Sequence, residues 1–123
     1  MLPGFGPLGD GMPKVRYVND RFIAVSTLGE IATSADGKNW TQQVSGVMVG
    51  LSDVAFANGV YVISGGLPRV ILSSTDAVNW TQIVTGPAQA LPLLAAASGN
   101  GKLVAVGNSG TIVTSADGLA WTA

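Results

Sequence analysis

Short β-rich runs separated by small polar turns fill the chain from Lys14 onward. "RFIAVS", "VYVIS" and "KLVAV" each begin at or just after an Asn-Asp or Asn-Gly pair. Each leads through a Gly-containing connection to a second run, "EIATS", "RVILSS" or "TIVTS". Asn-Gly between β-rich runs predicts a hairpin, because both turn residues adopt positive φ at little cost. Asp20 stands in the glycine slot of the first copy and tolerates that conformation less well. No useful window spaces apolar residues as an amphipathic helix would, so the pattern predicts an all-β fold.

The same line is written three times: "NDRFIAVSTLGEIATSADGKNWT", "NGVYVISGGLPRVILSSTDAVNWT" and "NGKLVAVGNSGTIVTSADGLAWT". Its tryptophans fall at Trp40, Trp80 and Trp121, steps of 40 and 41 residues. Apolar stretches before each line ("KVRYV", "LSDVAFA", "LPLLAAAS") and a last strand opening at each Trp predict four short antiparallel strands per repeat. Four strands in about 40 residues is the period of a β-propeller blade. The expected organisation is a Gly/Pro-rich arm at 1–13 and three four-stranded blades at 14–123, with approximate limits 14–46, 47–86 and 87–123.

Within each line the turn reads S-x-D-x-x-x-W: "SADGKNW", "STDAVNW" and "SADGLAW". A Ser hydroxyl and an Asp carboxylate accept the amides that a hairpin corner leaves unpaired. Ser34, Asp36, Ser74, Asp76, Ser115 and Asp117 are thus expected to lock their own corners. Gly37 and Gly118 supply positive φ there, and Ala77 is expected to hold it under strain or to bend differently. Trp40, Trp80 and Trp121 would bury their rings beside the corners and seal blade to blade. The phrase resembles the Asp-box of bacterial neuraminidase (BNR) repeats in sialidase-like propellers, in a version one residue shorter between Asp and Trp. The resemblance covers roughly 14–123 and implies a propeller in which the Asp-box lies away from the ligand pocket. The family includes secreted and photosynthetic-assembly proteins, and short-form members have no assigned activity.

Three blades fall short of a ring, since propellers typically hold about 4 to 8. The third copy ends at Trp121-Thr122-Ala123, whereas the earlier ones continue through "TQQVSG" and "TQIVTG", so its outer strand is expected to be cut short. Symmetry offers a remedy, and a homodimer closing a six-bladed ring is the expectation, with another propeller-bearing chain as the alternative. The arm, with Pro3, Pro7 and Pro13 among glycines, suits neither helix nor central strand. Phe5 and Leu8 are its candidate anchors on a neighbouring subunit or on its own blade.

Composition narrows the function. Six basic against seven acidic side chains leave a formal charge of -1, with no basic footprint for nucleic acid or anionic lipid. Charged residues form 11 % of the chain, well under the usual ~25 %, which predicts that part of the surface is covered in an assembly. No Cys and no His are present, which removes disulfides, thiolate chemistry and the commonest metal ligand and general base. No basic-apolar leader is evident and "ALPLLAAAS" is too short to span a bilayer, so a soluble chain is expected. No metal or other cofactor is expected.

Three classes of function compete for these residues. In sialidases the resemblance implies three arginines on a carboxylate, a Tyr–Glu nucleophile pair and an Asp acid/base. Here Arg16 and Arg21 flank one hairpin and do not converge with Arg69, Glu30 is the sole glutamate, and Tyr17 and Tyr61 occupy core-strand positions. Catalysis is not expected. A glycan-binding propeller is the alternative, with the face opposite the Asp turns carrying Glu30, Met48, Asp53, Arg69, Gln89 and Asn108. The preferred expectation is a non-catalytic structural or interaction subunit of a larger particle, for example a decoration, tail or baseplate component of a virion.

Overall fold

A computed structural model describes residues 14–66, 68–83 and 91–123. Three antiparallel sheets follow one another along the chain. The first holds β1 (Lys14–Val18), β2 (Arg21–Val25), β3 (Ile31–Ser34) and β4 (Thr41–Gln43) in sequence order. The second repeats the order with β5 (Leu51–Ala57), β6 (Val60–Gly65), β7 (Val70–Ser74) and β8 (Thr81–Ile83). In the third, β9 (Leu93–Gly99), β10 (Lys102–Gly107) and β11 (Ile112–Ser115) are joined by a fourth segment through one bridge, Thr114 to Thr122. These are β-propeller blades, each a meander whose first strand contacts the neighbouring blade: β5 touches both β1 and β9. Phe5, Leu8 and Gln89 lie outside the described residues.

The tight β1–β2, β5–β6 and β9–β10 corners put Asn19, Asn58 and Asn100 at φ values of 49°, 53° and 51°. Asp20 follows at 64° where Gly59 and Gly101 stand in the later copies. Two positive-φ residues make the hairpin twist match that of the strands they join. In blades 2 and 3 the first strand carries a bulge, between Leu51 and Asp53 and at the pairing of Val106 and Gly107 with β9. A bulge inserts one residue and changes which face the next side chain meets. Gly65 sits where the Gly50 carbonyl comes so close that a Cβ would collide with it.

Strand alternation sorts each blade into two faces. Ile23, Val25 and Ile31 of blade 1 pack against Val54, Tyr61, Ile63 and Leu72 of blade 2 in one cluster. Ala55, Val62 and Ile71, on the other face of blade 2, join Leu93, Ala96, Leu103 and Val113 of blade 3. The core is therefore a pair of interblade layers, held chiefly by burial of aliphatic side chains worth about 1.5–3 kcal/mol each. Trp80 packs on the first layer, Trp121 on the second, and Trp40 beside Ala24 and Ala32 on the face of blade 1 turned away from blade 2. Tyr61 is core, as its position predicts, but Tyr17 is largely exposed, because the face it shares with Val15 has no described blade against it.

Candidate functional site

The three Ser-x-Asp corners are built alike. Ser34 Oγ accepts from the amides of Asp36 and Gly37 and donates to Asp36 Oδ1, which in turn accepts from Lys38 and Asn39 at 2.8 and 2.9 Å. Ser74 with Asp76 and Ser115 with Asp117 repeat the pattern. These amides hold the Asp36, Asp76 and Asp117 carboxyls below the ordinary range, since they bind only the charged form well. Asn39 and Asn79 add a side-chain donor to their aspartates, and Ala120 in the third copy has none to give. Ala77 adopts φ +63°, the conformation of Gly37 and Gly118, and its methyl is fully buried in the first interblade layer. Trp40 and Trp121 donate Nε1 to the carbonyls of Gly37 and Gly118. Trp80 Nε1 is buried without a partner among the described residues.

The second and third corners are also docking points for the preceding blade. Arg21 Nη1 donates to Asp76 O at 3.1 Å, and its guanidinium lies 5.6 Å from the centre of the Tyr61 ring. Asn19 Nδ2 donates to Tyr61 Oη at 2.7 Å. At the next joint Asn58 Nδ2 donates to Gly101 O and Ala116 O, both at 2.8 Å.

At the inner strands a different group joins all three blades. Asp53, expected on the open loop face, is instead 0 % exposed within β5. It follows the bulge between Leu51 and Asp53, and Arg16 Nε and Nη2 reach its carboxylate from β1 at 2.8 and 3.0 Å. The Ala96 amide of β9 and the Val54 amide donate to the same carboxylate. Burial opposes its ionisation, yet the guanidinium and the two amides outweigh this and hold the Asp53 carboxyl below the usual range. The hydrogen bond and charge of Asp53 raise the Arg16 pKa in turn. Next to it, Ser52 Oγ donates to Leu93 O at 2.8 Å, a second tie between blades 2 and 3. Arg16 and Asp53 border a shallow apolar groove lined by Ala95, Ala96, Ala97, Val104 and Val106.

The other candidate residues among those described, Glu30, Met48, Arg69 and Asn108, sit on loops opposite the Asp corners. Glu30 and Met48 meet in one open groove with Leu28, Gln43, Val44 and Val47, and Met48 is 93 % exposed. Glu30 also accepts from Ser26 Oγ. Arg69 and Asn108 do not line this groove: Arg69 Nε donates to Leu91 O, and Asn108 opens a short 3-10 turn whose carbonyl accepts from Thr111. Arg16, Arg21 and Arg69 thus have three separate sets of partners. Among the described residues no group of three or more His, Cys, Asp or Glu could hold a metal ion, and no helix is long and apolar enough to cross a membrane. Sequence reasoning missed the Arg16–Asp53 pair. A charged residue inside the apolar run "LSDVAFA" was its only signal.

No protein-family model and no curated protein matches the chain. Solved structures do. YCF48 from Cyanidioschyzon merolae superposes with a TM-score of 0.73 at 24 % identity, over 94 % of this chain and 38 % of that one. YCF48 bound to D1 peptide gives 0.71 at 20 %, over 92 % and 40 %. The computationally designed Ika4 protein gives 0.60 at 14 %, over 82 % and 62 %. The chain therefore spans about two-fifths of the length of the YCF48 chains it resembles. At these identities the likeness defines the fold, a β-propeller, and nothing finer.

Proposed function

We propose that this chain is a non-catalytic interaction protein, a propeller segment that works as a subunit of a larger assembly. The observation that carries the proposal is the contrast between equivalent positions. Val15 is 53 % exposed where Val54, its counterpart in blade 2, is 2 % exposed; Ile112 is 55 % exposed where Ile71 is 1 %. Apolar side chains at blade-facing positions suit coverage by a further protein surface. The Ser-x-Asp-Trp corners fit the Asp-box role of a structural staple, because their Ser hydroxyls and Asp Oδ1 atoms are spent on their own turns. That one structural neighbour is a YCF48 bound to D1 peptide supports protein segments as a partner class, and the groove of Leu28, Val44 and Met48 around Glu30 is the place for one. A supramolecular particle such as a virion is the setting this proposal favours, given charged residues at only 11 %.

Native mass of the particle that contains the chain in its source tests the proposal. Recovery in a heavier heteromeric complex supports it; recovery only as free chain or as a small homo-oligomer overturns the larger-assembly role. Glycan binding is the second reading, resting on the polar groups Glu30, Gln42 and Gln43 in the same groove. A glycan array probed with the intact chain decides it, and an array without hits removes it.

A further inference from the structure

Every internal joint of the wedge obeys one rule: the corner Asn of one blade reaches into the next blade. Asn19 serves the joint between blades 1 and 2 through Tyr61 Oη, and Asn58 serves the next joint through the carbonyls of Gly101 and Ala116. Asn100 is the third copy, held at φ +51° like the others, exposed, and without a hydrogen bond from its amide among the described residues. Glycine would satisfy that backbone more easily. An Asn there supplies an amide as well as a turn.

The acceptors that Asn100 would need are present on the opposite flank of the same chain. Gly101 and Ala116, the residues that receive Asn58, correspond in blade 1 to Asp20 and Ala35. Both line one open groove with Arg21, Thr33, Ser34 and Asn39. Tyr61, which gives Asn19 its hydroxyl acceptor, is replaced by Leu103 at the Asn58 joint and by Phe22 in blade 1; neither carries a hydroxyl, so the carbonyl mode of Asn58 applies rather than the tyrosine mode of Asn19.

Apolar positions agree with the polar ones. Val104, Val106 and Ile112 on the trailing face of blade 3 occupy the places of Ile23, Val25 and Ile31 in blade 1 and of Val62, Ser64 and Ile71 in blade 2, all of which are buried against the following blade. Val106 and Ile112 are exposed in blade 3. Val15 and Tyr17 stand exposed on the leading face of blade 1.

Resting on the proposed role as an assembly subunit, we infer that blade 3 of one copy docks on blade 1 of a second copy in continuation of the internal joints, with Asn100 Nδ2 donating to the partner copy's Asp20 and Ala35 carbonyls. Copies joined head to tail close a ring where the rotation allows it. Two copies joined in this way place six of these blades in one ring, within the range of about 4 to 8.

Sedimentation velocity of the intact chain at micromolar concentration tests this, with three single-site variants. The wild-type chain is expected at a two-chain mass. Ile112→Asp on the trailing face and Val15→Asp on the leading face, both exposed sites, each weaken association by roughly 100-fold, because a charge is placed in a desolvated contact. Mixing these two restores a complex through the one joint that keeps both native faces, which a like-to-like interface would not do. Asn100→Asp tolerates the same φ but removes the donor, and weakens association by roughly tenfold. Circular dichroism checks that each variant keeps its sheets. A folded wild-type monomer at about 100 μM overturns the head-to-tail inference and leaves the assembly-subunit role standing, since a different protein surface would then cover these faces. A two-chain mass with no rescue on mixing overturns it as well.

Discussion

Arg16 grips both oxygens of Asp53, Nε to Oδ1 at 2.8 Å and Nη2 to Oδ2 at 3.0 Å, and so ties the first strand of blade 1 to that of blade 2. The Ala96 amide adds blade 3 to the same carboxylate. A charge taken fully out of water is tolerated only when its partners are complete. Replacing Asp53 by Ala removes the anchor of three donors and is expected to cost about 3 kcal/mol. Asp53→Asn keeps volume but cannot accept on both sides, and should cost about 1–2 kcal/mol. Urea unfolding of both variants checks the order, and equal stability of Asp53→Ala and wild type would show that the clamp adds nothing.

Removal of Arg16 leaves the Asp53 carboxylate fully buried with only the two amides for partners, so Arg16→Met should cost about 3 kcal/mol, no less than Asp53→Ala, which leaves a half-exposed guanidinium that water can reach. Arg16→Lys should recover only part, because an ammonium cannot make the two parallel bonds. A double-mutant cycle with Asp53→Asn measures the coupling, which a purely local effect of either residue would leave near zero.

The pH dependence follows from four carboxyls. Asp36, Asp53, Asp76 and Asp117 all have folded pKa values below their ordinary one. Their contribution is therefore present above the unfolded value of about 3.9 and is lost as pH falls through the lower folded values. With no histidine in the chain, stability should be nearly flat from about pH 5.5 to 8 and fall steadily below about pH 4. Denaturant midpoints measured across this range test it. A midpoint that rises on acidification would contradict the assignment.

Positions 77 and 118 make a paired prediction about one turn. Gly118 has φ +78°, and a Cβ there would stand 2.7 Å from Val60 Cγ1 and 3.2 Å from Val62 Cγ1. Gly118→Ala combines strain with overpacking and should cost about 2–3 kcal/mol. Ala77→Gly relieves a left-handed alanine, worth about 1 kcal/mol, while losing a fully buried methyl of similar value. Its net effect should lie within about 1 kcal/mol of zero. Thermal unfolding of the two variants separates them, and a large loss in Ala77→Gly would mean that the methyl dominates the turn.

Trp121 and Trp80 differ by one hydrogen bond. Trp121 Nε1 donates to Gly118 O, whereas Trp80 Nε1 is buried and unpaired. Substitution by Phe removes ring area from both sites, but at Trp80 it also removes an unsatisfied donor. Trp80→Phe should therefore be less destabilising than Trp121→Phe by about 1 kcal/mol. The reverse order by calorimetry would show that ring packing alone sets the cost.

The strands, the blade period and the Ser-x-Asp corners were legible in the chain because each depends on neighbours only a few residues away. Alternation defines a strand, Asn-Gly defines its turn, and Ser34 meets Asp36 and Gly37 within three positions. What the chain could not disclose are the contacts between blades. Arg16 finds Asp53 across 37 residues, next to a bulge between Leu51 and Asp53. Strand order puts that aspartate with the loops opposite the Asp turns and repeat position puts Tyr17 in the core, since a linear pattern records that a face is apolar but not whether another blade covers it. Stacking of successive sheets decided both, as it decided that Asn58 and Ala116, 58 residues apart, share a hydrogen bond. Local hydrogen bonding wrote the blade; burial and desolvation between blades determined which of its polar groups became structure and which remained available.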